Sequence, residues 1–91
     1  MTAPSCTVRI ASPLRSYTRG AGRVAADGAT LREVLADLDR RFPGIRFRMI
    51  DEQDAIRPHI RLYVGTREVK SLAEPVRAHE TVHVICALSG G

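Results

Sequence analysis

The chain carries one long helix signal, and that limits the folds open to it. Thr30 and Glu33 are spaced as a T-x-x-E capping box, in which each side chain satisfies a backbone N–H that the first helical turn leaves open. Leu31, Val34, Leu35, Leu38 and Phe42 follow at helical spacing, which predicts a helix with a single apolar stripe. Arg32, Glu33, Asp37, Asp39, Arg40 and Arg41 fall mostly on the other side. Pro43-Gly44 ends the run. A one-sided helix cannot bury its own stripe, so the rest of the chain has to supply a facing layer.

That layer reads as strands. Val8 and Ile10 alternate with Thr7 and Arg9 in a strand over Thr7 to Leu14, with Pro13 marking its end or an edge position. A loop over Ser16 to Gly22 leads to a short strand, Arg23 to Ala26, and Asp27-Gly28 turns the chain. Ile45 to Pro58 shows no regular pattern. Ile60, Leu62 and Val64 alternate with Arg61 and Tyr63, and Gly65-Thr66 is a hairpin turn into Arg67 to Lys70. Ser71 to Glu80 has Pro75 in its middle and too few apolar residues for a second long helix. Thr81 to Leu88 is the last strand, with Val82, Val84, Cys86 and Leu88 on one face and His83, Ile85 and Ala87 on the other. A ferredoxin-like fold needs a second helix before that strand. One helix across one face of a mixed sheet of four to five strands fits better: an α+β, β-grasp (ubiquitin-like) arrangement. The expected organisation is a single domain over residues 1–88, flexible over 1–6, with a flexible tail over 89–91.

Bulk properties narrow the function. The 91 residues make one small domain, and 44% apolar with 26% charged residues is ordinary for a globular protein. Trp is absent and aromatics are few, so platforms for stacking bases are lacking. No apolar run is long enough for a membrane span, and no secretory signal pattern opens the chain; a cytoplasmic protein with no membrane partner is expected. Net charge is +4, and 13 of the 14 basic residues are arginines spread along the chain. Nucleic-acid binding needs a concentrated basic face, so an acidic protein surface is the expected partner. Cys6 and Cys86 lie far apart and are expected as free thiols, Cys86 serving as a small apolar strand residue.

Catalytic and metal motifs are not evident. His79 and His83 enter a strand, where four residues separate them by roughly 13 Å, too far to share an ion. Asp51, Glu52 and Asp54 lack the glycine and distal glutamate of a calcium loop, and Gly20 and Gly22 lack the lysine of a phosphate loop. No metal site, no bound cofactor and no nucleophile–base–acid set is expected.

The chain closes on Leu88-Ser89-Gly90-Gly91. Extended, that segment spans at most about 13–14 Å. It reads either as a frayed end or as a thin arm that presents the Gly91 carboxylate to an enzyme channel too narrow for a Cβ. Beside such an arm, Ile85 stands on the open face of the sheet as a docking point.

The segments T-L-R-E-V-L at Thr30 to Leu35, R-P-H-I-R-L-Y-V-G at Arg57 to Gly65 and V-H-V-I-C-A-L-S-G-G at Val82 to Gly91 carry a resemblance. The chain resembles the MoaD/ThiS group of ubiquitin-like sulfur carriers, CysO-like members included. The resemblance implies that an E1-like adenylyltransferase uses ATP to adenylate Gly91. The adenylate becomes a thiocarboxylate, which gives its sulfur to an acceptor enzyme in molybdopterin-type or cysteine/thiamin-type biosynthesis. Gly90 would allow close approach to the nucleotide, while Ser89 and Leu88 position the arm. The protein would then be a co-substrate rather than an enzyme. Two other readings stay open: a modifier joined through Gly91 to lysines of target proteins, and a docking module that is never conjugated. The chain departs from the group in two places, with Gly65-Thr66 where members often have Asn-Gly and a net charge more basic than is usual.

Overall fold

The computed structural model describes residues 5–87. Helix α1, Leu31–Arg41, starts as its capping residues require. Thr30 Oγ1 accepts from the Glu33 N–H at 3.3 Å, and Glu33 Oε1 reaches back to the Ala29 N–H at 2.7 Å. The next open N–H groups are met from outside the helix: Leu31 donates to the Glu74 carbonyl and Arg32 to that of Leu72, both at 2.9 Å. The segment before the last strand therefore caps the helix, with Leu72 and Val76 buried against the core.

The apolar stripe meets a five-stranded sheet. Its strands are β1 (Ser5–Arg9), β2 (Arg23–Asp27), β3 (Ile60–Val64), β4 (Arg67–Val69) and β5 (Thr81–Cys86), in the order β2-β1-β5-β3-β4. The central β1–β5 pair is parallel and the others antiparallel. Leu31, Val34, Leu35 and Leu38 from α1 share one fully buried core with Val8, Leu62, Val64 and Val82 from the sheet. Each such side chain is worth about 1.5–3 kcal/mol of transfer free energy. This is the β-grasp arrangement expected.

Helix and sheet close tightly at Gly28. A Cβ there would lie 2.7 Å from the Val34 nitrogen and 2.8 Å from the Glu33 carbonyl carbon, so the β2–α1 turn fits only without a side chain.

Four features correct the sequence reading. β1 ends at Arg9 rather than Leu14: the Ile10 N–H still bonds the Gly22 carbonyl at 2.9 Å, in register with the β1–β2 pairing, but a 3-10 turn at Ser12–Leu14, with Pro13 near its start, then carries the chain away. β1 also begins at Ser5, with Cys6 buried, so the flexible lead expected over 1–6 does not extend to these two residues. A second helix, α2 (Ile45–Met49), stands where no regular element was expected. Gly44 enters it at φ 96°, Asp39 Oδ1 accepts from the Gly44 and Arg46 N–H groups at 3.1 Å each, and Ile45 and Met49 are fully buried one turn apart. Finally, Asp37 is buried at 7% exposure rather than solvated. It accepts from the Asp27 N–H at 2.9 Å and pairs with Arg40 and, at 3.1 Å, with Arg41. Those partners make a buried carboxylate tolerable. No helix among the described residues is long and apolar enough to cross a membrane.

Candidate functional site

The last strand delivers the chain to its end. Its alternation puts Val82 and Val84 into the core and Ile85 on the opposite, open face, where Ile85 is 44% exposed. Leu88, Ser89, Gly90 and Gly91 lie outside the described residues; of the expected site, Ile85 is described. Strand pairing continues one residue past β5, where the Ala87 N–H donates to the His59 carbonyl at 2.7 Å. That bond holds Ala87, the last described residue, beside His59.

Ile85 sits among polar residues. Its partner on β3 is Arg61, whose guanidinium pairs with Glu68 at 3.1 Å. One row along, strand register aligns Arg9, His83, Tyr63 and Glu68 across four strands. Arg23 lies opposite Arg9 on β2. Among the described residues, the open face thus presents one large apolar side chain, Ile85, on a face that also carries Arg9, Arg23, Arg61, His83 and Tyr63.

A second group of residues surrounds the root of the tail, and the sequence reading missed it. Tyr17, Arg48, His59 and Cys86 line a depression of about 500 Å³. Arg48 Nε donates to the Tyr17 hydroxyl at 2.6 Å, and that hydrogen bond holds the guanidinium pKa above its ordinary value. Beside it Phe47 is 54% exposed. The Arg57 guanidinium lies 4.4 Å from the centre of the Phe47 ring, while Arg57 Nε donates to the Phe47 carbonyl at 2.7 Å. Phe47 becomes visible as an outward residue only once Ile45 and Met49 are known to face inward from a helix.

Both cysteines are free, as expected. Burial pushes each thiol pKa up, with Asp27 adding to the effect at Cys6. Thiols are nucleophilic as thiolates, so these are not activated groups. Cys86 belongs to the wall of the sheet.

No family model matches the chain. It is 32% identical over 90 residues to the sulfur carrier protein CysO of Mycobacterium tuberculosis and of Mycobacterium bovis, over 93% of this chain and 97% of each relative. The chain belongs to the CysO family of sulfur carrier proteins. A chain of the Amycolatopsis orientalis BexX/CysO complex superimposes with a TM-score of 0.88 at 32% identity, over 94% of this chain and 99% of that one. The crystal structure of Mycobacterium tuberculosis CysO gives 0.85 at 30% identity, over 91% and 99%. The small archaeal modifier SAMP1 from Haloferax volcanii gives 0.80 at 21% identity over 96% and 99%, a likeness of fold alone.

Proposed function

We propose that this protein carries sulfur on the carboxyl group of Gly91. A carboxylate, ionised at neutral pH with a pKa of roughly 3.3–3.7, is a poor electrophile. An E1-like adenylyltransferase activates it: the Gly91 carboxylate attacks the α-phosphorus of ATP, and pyrophosphate leaves. Sulfide then attacks the acyl carbon and AMP leaves, which gives the thiocarboxylate. Inside an acceptor enzyme that sulfur attacks a cofactor or metabolite precursor. Gly90 and Gly91 admit the arm to the nucleotide, Ser89 and Leu88 space it from the sheet, and Ile85 seats the domain. The protein is a co-substrate, and ATP sets the cycle in the cytoplasm.

Membership of the CysO family carries this reading. The Amycolatopsis orientalis CysO occurs in a complex with BexX, which supports a carrier that works against a partner protein. The competing reading, an isopeptide bond from Gly91 to target lysines, has a fold likeness to the archaeal modifier in its favour. Deleting Gly91, or appending one residue after it, tests the proposal with pyrophosphate release by the activating enzyme as readout. Both variants should fold normally and release none. Full activity of either would overturn it.

A further inference from the structure

The backbone edge of β5 is used along only half its length on the β1 side. The Ala87 N–H bonds the His59 carbonyl, and the Gly65 N–H bonds the Thr81 carbonyl. Residues 81, 83, 85 and 87 therefore turn their backbone groups toward β3, and residues 82, 84 and 86 turn theirs toward β1. The β1–β5 register stops at Arg9 opposite His83. Beyond it the chain swings away through the 3-10 turn at Ser12–Leu14. Among the described residues, no backbone hydrogen bond joins that turn to Val84–Cys86. Among the described residues, the Val84 carbonyl and the Cys86 N–H therefore stand on a free strand edge.

The space opened there is a groove of about 530 Å³, lined by Ala11, Ser12 and Pro13 on one side and by Ile85 and Cys86 on the other. Its basic end is crowded. Arg9, Arg15 and Arg23 line one adjoining hollow. Arg15 Nε is held on the Ile10 carbonyl at 3.0 Å, while Arg9 and Arg23 are exposed with no ion pair among the described residues. Arginines dispersed in the sequence are gathered here by the fold.

We propose that this groove binds an extended acidic segment of a partner protein by strand addition to the free edge of β5. Unpaired strand edges template such pairing. Main-chain bonds go to the Val84 carbonyl and the Cys86 N–H, carboxylates meet Arg9 and Arg23, and an apolar side chain of the segment lies against Ile85. Charge selects the partner, since a basic segment would place like charges together. The site rests on strand register and charge alone, and stands whether or not Gly91 carries sulfur.

The test is a titration of the labelled protein with a short blocked peptide alternating Asp or Glu with Val, followed by amide NMR and hydrogen exchange. The free protein should already show fast exchange at the Cys86 amide and slow exchange at Ile85. Peptide should shift Ala11, Ile85 and Cys86 and slow exchange at Cys86. Arg9→Glu and Arg23→Glu should each weaken binding about tenfold, as loss of a charge-assisted hydrogen bond does. The same peptide with Lys at every acidic position should not bind. An unchanged Cys86 amide at saturation, equal binding of the lysine peptide, or no binding of the acidic peptide at millimolar concentration would overturn the proposal.

Discussion

Val84 and Ile85 are neighbours in sequence on opposite faces of β5, and truncating each to alanine separates folding from docking. Val84 is 3% exposed. Removing its two methyl groups forfeits about 0.8 kcal/mol each in transfer and leaves a small cavity, so Val84→Ala should cost about 2–3 kcal/mol. Ile85 loses one carbon more but is 44% exposed, so only about half of that loss counts, and Ile85→Ala should cost about 1 kcal/mol. For a domain this small each kcal/mol lowers Tm by about 4–8 °C. Function should invert the order. An exposed anchor in an interface is worth about 1–2 kcal/mol, so Ile85→Ala should lower kcat/KM for adenylation or sulfur transfer about tenfold, while Val84→Ala, assayed well below its Tm, should change it little. Thermal unfolding and a steady-state assay on the same preparations give both quantities. Equal destabilisation by the two substitutions would refute the face assignment of β5. An unchanged kcat/KM for Ile85→Ala would refute docking through Ile85.

Three further outcomes follow from the packing. Gly28→Ala should destabilise by about 1–3 kcal/mol in urea unfolding, because the added Cβ meets the backbone of Glu33 and Val34 and not a side chain that can yield. Asp37→Ala should cost about 2–3 kcal/mol by leaving the Asp27 N–H unmet and two arginines without their buried partner, and Asp37→Asn should recover part of it. Arg46 and then Arg32 hold the Asp54 carboxyl below its ordinary value of 3.8. Backbone N–H groups lower Asp51, Ala55 before Gln53, and the Arg77 N–H lowers Glu80. Folded-state values lowered in this way stabilise above the ordinary carboxylate range and lose their contribution as pH falls through it. Stability should therefore fall on acidification through about pH 4 and below, and Asp54→Asn should make that fall shallower in urea midpoints measured across the range.

Local signals carried most of the architecture. The capping pair and stripe of α1 and the alternation in β3 and β5 are written in neighbouring residues, and the sheet buries what they indicate. What stayed hidden depends on contacts distant in sequence. The pattern of β1 continues through Ile10, yet the strand stops because a 3-10 turn at Ser12–Leu14 carries the chain away from the sheet. Helix α2 is too short to display a period, and Asp39 and Gly44 start it. Asp37 looks like a surface carboxylate until Asp27 and two arginines close round it. The cationic hollow of Arg9, Arg15 and Arg23 arises only when the 3-10 turn folds back beside β1 and β2. Ile85 was legible, since alternation along β5 alone puts it outside.

The central claim is a covalent change at one atom. Intact mass of the protein, after incubation with an E1-like adenylyltransferase, ATP and sulfide, measures it directly, and fragmentation localises it. The account predicts the gain of one sulfur for one oxygen, confined to Gly91. An unchanged mass, with the same activating enzyme converting another carrier in a parallel reaction, would contradict it.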